Sequence, residues 1–407
     1  MHRTMSGGIL AAACLLAACS RAERADEAAS DSRYLYLWTA AADSTQPDFL
    51  AVLDVQPAAT YGTLVTTLAV PGTHNGPHHT EHEMPADDRL FANGFASGQS
   101  FIFDLTDPAR PKLDGTFGDV AGLMHPHSFV RMPGGNVLAT FQMHHDSTGI
   151  RPGGIAELTP TGALLRSVSA DVSGVDPSIR PYSAAIVPLL DRIVTTTTDM
   201  DGDGPARTVQ VWRLSDMTLV RSFQLPDGPA GDEGKLSAEP RLLADGKTVL
   251  VSTFSCGLFL IDSLATAAPS ARLVASFPKL KGAACAIPVV HGRHYLVTVP
   301  AWHAVVSLDI SDPAHPREVS RAVLDSADVP HWIAMEPNGR RVVITGYGAM
   351  AEKVVIATFD SSTGQLAIDQ RFREPGALKA GVRMRGPLWP HGGRGAGIPH
   401  GAVFSRR

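Results

Sequence analysis

The sequence predicts an all-β protein, a seven-bladed β-propeller closed by pairing of its N- and C-terminal strands. One observation is a repeat of about 50 residues, a length typical of a propeller blade. A second is that each repeat contains four short strand signals separated by turns. A third is that the first strand signal lacks an inner partner, which the last strand signal of the chain can supply.

Composition agrees with a globular protein rich in loops. The chain has 407 residues, of which 44% are hydrophobic and 18% charged, with 38 Gly and 30 Pro. A single core stops growing near about 250–300 residues, so a chain of this length suggests a fold built from repeats. The formal net charge of −5 provides no basic field that would attract nucleic acid.

The N-terminus has the pattern of a bacterial lipoprotein signal. Arg3 precedes an apolar run over 7–18, and Leu16-Ala17-Ala18-Cys19 matches the cleavage site. We expect a signal peptide over 1–18, a lipidated Cys19 with a polar tether over 19–32, and the propeller over 33–407. Ser20 carries no inner-membrane retention signal, so we expect a periplasm-facing lipoprotein of the outer membrane. An ordinary secretory signal or an uncleaved anchor is the alternative.

The third strand of each blade is the clearest element of the repeat. These strands are expected at 49–54, 100–104, 154–157, 209–213, 258–262, 305–309 and 355–360. Hairpin turns precede several of them, as at Pro133-Gly-Gly-Asn136 and Pro337-Asn-Gly-Arg340. The stretch 33–38 reads as a second strand, and 398–404 reads as the missing first strand of that blade. A count of six or eight blades, or an irregular β-sandwich, is the alternative.

The first strands of the blades line the channel of a propeller, and here they carry histidines. Aligning the repeats on the turn after the first strand gives equivalent positions in seven blades. They are His79, His127, Tyr182, Ala238 with Glu239 beside it, Cys285, His331 and His400. In ring order His331, His400, His79 and His127 come from four consecutive blades, so we expect these imidazoles to meet at one mouth of the channel.

Several imidazoles without a carboxylate cage suit zinc, copper, iron or nickel and argue against magnesium or calcium. The sequence therefore predicts a transition-metal site at the channel mouth. The alternative is a set of hydrogen-bonded channel residues. Tyr182, Glu239 and Cys285 are candidates for moving protons or electrons. For these three, polar channel lining with water is the alternative.

Two other features could carry a ligand or a cross-link. Asp199, Asp201 and Asp203 alternate as in a calcium loop, but Gln210 stands where a bidentate Glu is expected. This segment is predicted to be either a calcium site or an acidic hairpin tip. Cys256 and Cys285 can form a disulfide in an oxidising compartment, and the sequence leaves their pairing open.

The first-strand motifs resemble the selenium-binding protein/methanethiol oxidase family. They are His78-His79-Thr80, Pro126-His127-Ser128 with its Pro133-Gly-Gly-Asn turn, and His331-Trp-Ile with its Pro337-Asn-Gly turn. The resemblance implies a seven-bladed propeller in which a histidine-bound copper ion serves the oxidation of methanethiol by O₂. It also implies ligand roles for His79, His127, His331 and His78.

The resulting hypothesis is an exported, metal-dependent oxidoreductase, a thiol oxidase that acts on a small sulfur compound with O₂ and uses copper. One alternative is a four-His iron oxygenase. Another is a propeller that binds metal or a partner without catalysis. A lactonase-like hydrolase would need a carboxylate-bound divalent ion, and the histidine-dominated arc argues against it.

Overall fold

The computed structural model describes residues 31–56, 59–146, 149–172, 179–200, 206–285, 287–348 and 350–406. The expected signal peptide, Cys19 and nearly all of the tether lie outside these residues, as do Asp201 and Asp203 of the calcium hypothesis. Within the described ranges, no helix has the length and apolar character needed to cross a membrane.

The described strands form seven antiparallel sheets arranged as blades. Blade 1 contains β1 (Tyr34–Ala41), β2 (Phe49–Asp54) and β3 (Thr63–Ala69). Blade 2 contains β4 (Pro77–Thr80), β5 (Arg89–Gly94), β6 (Gln99–Asp104) and β7 (Lys112–Phe117). Blade 3 contains β8 (Leu123–Arg131), β9 (Val137–Asp146), β10 (Gly149–Leu158) and β11 (Leu164–Ser169).

The next three blades repeat this order. Blade 4 contains β12 (Pro181–Val187), a 3₁₀ turn (Pro188–Leu190), β13 (Arg192–Thr197), β14 (Thr208–Arg213) and β15 (Leu219–Gln224). Blade 5 contains β16 (Ser237–Leu242), β17 (Val249–Thr253), β18 (Gly257–Asp262) and β19 (Ser270–Ser276). Blade 6 contains β20 (Pro288–His291), β21 (His294–Val299), a 3₁₀ turn (Pro300–Trp302), β22 (Ala304–Asp309) and β23 (Arg317–Val323).

The last segments complete the ring. Blade 7 contains β24 (Asp328–Met335), β25 (Arg341–Gly348), β26 (Lys353–Asp360) and β27 (Gln365–Ile368). Two short strands follow: β28 (Val382–Arg383) pairs with β26, and β29 (Arg385–Gly386) pairs with β30 (Gly395–Phe404). β30 then takes the innermost position of blade 1. The predicted seven-bladed fold is confirmed.

The burial pattern of each strand matches its position within the blade. The third strand β2 (FLAVLD) is buried at every position, as expected for a strand covered by blades on both faces. The outer strand β7 alternates exposed and half-buried residues, the pattern of a strand with one face toward solvent. All seven predicted third strands lie within strands of the structure.

The closure predicted from the two chain ends is present. β30 pairs antiparallel with β1, with Leu35 opposite Phe404 and Leu37 opposite Ala402. Apolar side chains form seven clusters in the described chain, one between each pair of neighbouring blades. Because blade 1 draws strands from both ends of the chain, the ring closes through backbone hydrogen bonds as well as side-chain packing.

A buried ion pair fastens the junction of blades 7 and 1. Arg341 contacts Glu336 at 2.5 Å, and the two side chains are 4% and 0% exposed. Arg341 also donates hydrogen bonds to the carbonyls of Ser32 and Val55, while the Ser32 amide donates to Glu336. The pair therefore ties the N-terminal strand to blade 7.

We predict that Arg341→Met lowers the free energy of unfolding by about 3 kcal/mol, because it leaves the Glu336 carboxylate buried without its cation. Chemical denaturation measures the change. The control is Arg321→Met, which removes an ion pair to Glu318 that is about one-third exposed on both sides and should cost less than about 1 kcal/mol. Equal losses for the two variants would contradict a special role for the Arg341 pair.

Candidate metal centre

Four consecutive blades deliver histidines to one end of the channel. His331 lies on β24 of blade 7, His400 on β30 of blade 1, His78 and His79 on β4 of blade 2, and His127 on β8 of blade 3. Each of these elements is the first strand of its blade, so their side chains converge near the axis. We call this end of the propeller the histidine face.

Three of the imidazoles form a compact group. His78, His79 and His127 each offer a ligand atom, and these atoms all lie within 4.8 Å of one another. The His78 and His79 rings stack with centroids 4.2 Å apart, and the His127 ring lies 4.5 Å from His79. Within the described ranges this is the one group of three or more His, Cys, Asp or Glu side chains that meets this distance limit. We call it the histidine triad.

His400 and His331 extend the group along the channel wall. The His400 ring lies 4.4 Å from His78 and 5.1 Å from His331. Its Nδ1 lies 2.8 Å from the His78 carbonyl, so this nitrogen is the donor and Nε2 faces the Tyr347 hydroxyl at 3.1 Å. Both His331 ring nitrogens are buried without a hydrogen-bond partner of normal geometry. The five histidines thus form an arc. The repeat alignment placed four of them, all but His78, at this mouth of the channel, and their roles as metal ligands stay a prediction.

His127 is oriented as a metal ligand. Its Nδ1 lies 2.8 Å from the Tyr182 carbonyl, which can only accept, so Nδ1 carries the proton. The Nε2 lone pair is therefore free, and this atom is buried with no hydrogen-bond partner. A backbone carbonyl that fixes the tautomer in this way is the usual support of a metal-binding imidazole.

His79 is held from several sides. Its amide donates to Asn93 Oδ1 at 2.6 Å, its Nδ1 lies 3.2 Å from Ser128 Oγ, and its Nε2 lies 3.1 Å from the Tyr182 hydroxyl. A metal ion bound at Nε2 would replace the Tyr182 proton as its partner. The hydroxyl of Tyr182 would then remain beside the ion.

Burial keeps the arc neutral. Loss of solvent, reinforced by neighbouring imidazoles, lowers the pKa of His78, His79 and His331 well below the usual value. Burial also lowers the pKa of His127 to about 3 and that of His400 to about 4. Neutral imidazole is the form that binds metal, so the arc is ready for a cation near neutral pH.

A buried carboxylate lies behind His79. Glu239, on β16 of blade 5, is 0% exposed. Its Oε2 accepts hydrogen bonds of 2.6 Å from Ser183 Oγ and from Arg241 Nη1. Its Oε1 has no hydrogen-bond partner and lies 4.0 Å from His79 Nδ1. Burial, followed by the negative charge of Glu239, raises the pKa of Tyr182 well above its usual value.

Arg241 links this carboxylate to a further histidine. Its Nη2 donates to His82 Nε2 at 2.8 Å, across the channel from blade 5 to the loop after β4. The His82 ring stacks on Trp332 with centroids 4.4 Å apart and 7° between the planes. The sequence predicted no role for His82, Arg241, Ser128 or Trp332, although Ser128 and Trp332 stand within the first-strand motifs. Only their position next to predicted site residues could have drawn attention to them.

The proton role expected for Cys285 is corrected. Its sulfur is bonded to Cys256, with Cα atoms 5.0 Å apart. A disulfide sulfur has no proton to donate or accept, so Cys285 cannot act as an acid or base in this state. Cys285 precedes β20 rather than lying on it, and the pairing that the sequence left open is formed.

Comparisons with known proteins point to one group of oxidases. No family model matches the chain. It is 29% identical to a methanethiol oxidase from a Hyphomicrobium species over 220 residues, which cover 48% of this chain and 49% of that protein. It is 31% identical to a methanethiol oxidase from Ruegeria pomeroyi over 125 residues, 28% of each chain. The chain thus matches about half the length of one relative and less of the other.

Solved structures support the fold. A hypothetical selenium-binding protein from Sulfolobus tokodaii aligns with a TM-score of 0.70 at 18% identity, covering 93% of this chain and 94% of that one. A periplasmic gluconolactonase from Pseudomonas aeruginosa aligns with a TM-score of 0.59 at 15% identity, covering 86% and 97%. The two oxidase matches bear out the resemblance to the selenium-binding protein/methanethiol oxidase family, and the solved structures show the propeller fold.

We predict that the metal-free protein loses stability as the pH falls below about 6.5, the pKa of histidine in an unfolded chain. Between pH 6.5 and the lower folded pKa values, the unfolded chain binds protons that the folded chain does not. Each such imidazole then costs about 1.4 kcal/mol per pH unit. Urea denaturation in chelator at pH 7.5 and pH 5.5 measures the loss.

His127→Gln should remove about 1.4 kcal/mol of this pH-dependent loss, because the unfolded variant has one histidine fewer to protonate at pH 5.5. His145→Gln, a change at an exposed position on β9, should leave the loss unchanged. The same pH dependence in His127→Gln and in the unchanged protein would contradict a buried neutral His127.

Proposed function

We propose that this protein is an exported, lipid-anchored oxidase of small sulfur compounds that uses copper and O₂ and acts on a thiol. The observation that carries the proposal is the histidine triad, whose buried ring nitrogens His127 Nε2 and His78 Nδ1 have no hydrogen-bond partner. The similarity of this chain to two methanethiol oxidases supports thiol oxidation as the reaction.

The donor set fits copper. Imidazole nitrogen is a ligand that copper accepts readily, and the triad is neutral and buried. His78, His79 and His127 would hold the ion, with His331 and His400 as further ligands or as hydrogen-bonding neighbours. Copper bound there would supply one-electron chemistry between a thiol and O₂.

Tyr182 is suited to hold a proton at this site. Its raised pKa keeps the phenol protonated near neutral pH, and its hydroxyl lies 3.1 Å from His79 Nε2. Two-electron oxidation of the thiol substrate releases two electrons and two protons, and reduction of O₂ to hydrogen peroxide takes up the same two electrons and two protons. A phenol beside the triad can donate one of these protons and recover it from the thiol.

Glu239 is suited to orient His79. The free Oε1 faces His79 Nδ1, while Arg241 and Ser183 hold Oε2. At 4.0 Å Glu239 does not hydrogen-bond to Nδ1, and its negative charge acts by favouring a proton on that nitrogen, which leaves Nε2 for a metal. The adjacent Arg241 offsets the charge that Glu239 would otherwise bring into the channel unpaired.

Export is proposed from two independent features. The pattern around Cys19 is that of a lipoprotein signal, and the Cys256–Cys285 disulfide is of the kind that persists in oxidising compartments such as the periplasm. The proposed location is the periplasmic side of the outer membrane.

His127→Ala should lose bound metal, because it removes Nε2 as a ligand. The propeller should stay folded, since the change removes one hydrogen bond, from Nδ1 to the Tyr182 carbonyl, and leaves the strand pairing of the blades in place. Elemental analysis measures the metal in protein that starts at Ser20, is made in the periplasm and is purified without chelator or His-tag. The unchanged protein should contain copper near one equivalent per chain. The control is His315→Ala, whose ring is 81% exposed and which should keep the metal.

Iron in place of copper would support the four-His oxygenase and contradict this proposal. Metal without O₂ uptake in the presence of methanethiol would leave a propeller that only binds metal. Full metal occupancy in His127→Ala would remove the triad as the site.

Tyr182→Phe should lower kcat for thiol oxidation about 100-fold while metal content is kept, because one proton donor is lost from the site. An oxygen electrode with methanethiol measures the rate. Tyr36→Phe, a change at a buried tyrosine between blades 1 and 2, is the matched control and should leave kcat unchanged. An unaltered rate in Tyr182→Phe would exclude the proposed proton role.

A further inference from the structure

Three aromatic side chains stand over the histidine arc, and neither the fold nor the proposed chemistry explains them. Phe95 follows β5 of blade 2, Phe254 follows β17 of blade 5, and Tyr347 lies near the end of β25 in blade 7. All three lie where the second strand of a blade ends, on the histidine face. We call them the aromatic collar.

The collar touches the imidazoles from several directions. The Phe95 ring lies 5.7 Å from His127 and 5.9 Å from His78. The Phe254 ring lies 5.3 Å from Tyr182 and 6.2 Å from His331. The Tyr347 ring lies 4.7 Å from His331. Aromatic rings therefore adjoin both ends of the arc.

These rings are not fully enclosed by the protein. Phe95 and Phe254 are half-buried, and Tyr347 is 41% exposed. Met200, also half-buried, joins Phe254 against the apolar cluster between blades 7 and 1. Partly exposed rings next to buried ligand nitrogens are what the mouth of an apolar binding site requires.

The backbone holds the collar in place. The Phe254 amide donates to Leu236 O at 2.9 Å, and the disulfide-bonded Cys256 stands two residues further on. The Phe95 amide donates to Gly76 O at 2.9 Å. The Tyr347 hydroxyl lies 3.1 Å from His400 Nε2. These contacts fix the positions of the three rings relative to the histidine arc.

We propose that the aromatic collar is the binding site for the alkyl group of the substrate and selects short, uncharged thiols by size and charge. The inference rests on the proposed thiol oxidation and adds which residues set its specificity. Rings can cover a methyl or ethyl group beside the triad. A thiol bearing an ammonium or carboxylate group would lose hydration there without gaining an ionic partner from the collar.

The test compares thiols of increasing chain length in copper-loaded protein. The unchanged protein should show kcat/KM that falls from methanethiol to butanethiol and is lowest for cysteine. Phe254→Ala should raise the ratio of butanethiol to methanethiol at least tenfold, since pocket methylenes change such ratios by 10–200-fold. Phe254→Leu should give an intermediate ratio. Phe117→Ala, a change at a phenylalanine on β7 away from the site, is the control and should leave the ratio unchanged.

A binding measurement separates the collar from the reaction. Calorimetry with dimethyl sulfide and butyl methyl sulfide, which have no thiol proton, should show tighter binding of the small sulfide. Phe254→Ala should reverse or abolish this preference. If the protein oxidises no thiol but retains this pattern, the proposed function fails and the collar stands. If thiols are oxidised while Phe254→Ala and Phe95→Ala change neither the dependence of kcat/KM on thiol length nor the preference for the small sulfide, the collar assignment is overturned.

Discussion

The histidine arc depends on the pairing of the last strand with the first. β30 occupies the innermost position of blade 1 only because it hydrogen-bonds to β1, and this places His400 between His331 and His78. Residues more than 300 positions apart in the chain thereby become neighbours. The buried Arg341–Glu336 pair reinforces the same junction from blade 7. Fold closure and assembly of the histidine arc are thus one event.

Burial then determines the chemistry of the arc. Imidazoles removed from water lose their charged form, because the interior solvates a cation poorly. This leaves neutral nitrogens, some with no partner, at a place where the protein supplies few anions. Glu239 is the buried carboxylate close to His79, and Arg241 and Ser183 occupy one of its oxygens. A cation at the triad would give these unpartnered imidazole nitrogens a partner that the polypeptide does not supply.

The repeat provides two layers of side chains at the same end of the channel. First strands bring imidazole nitrogens to the axis, and the ends of the second strands bring the aromatic collar beside them. The first layer is buried and polar, and the second is half-exposed and apolar. The Cys256–Cys285 disulfide begins two residues after Phe254 of this second layer.

The sequence by itself determined the blade count, the strand positions and the blades that carry histidines, because a regular period repeats local patterns at the same structural position. It also identified His79, His127, His331 and His400 as neighbours, since first strands of a propeller share an axis. Only the tertiary structure decided which ring nitrogens stay free, that Cys285 is disulfide-bonded, and that Phe95, Phe254 and Tyr347 adjoin the arc. Those outcomes depend on side-chain packing between blades, and contacts between distant residues leave no periodic trace in a single sequence.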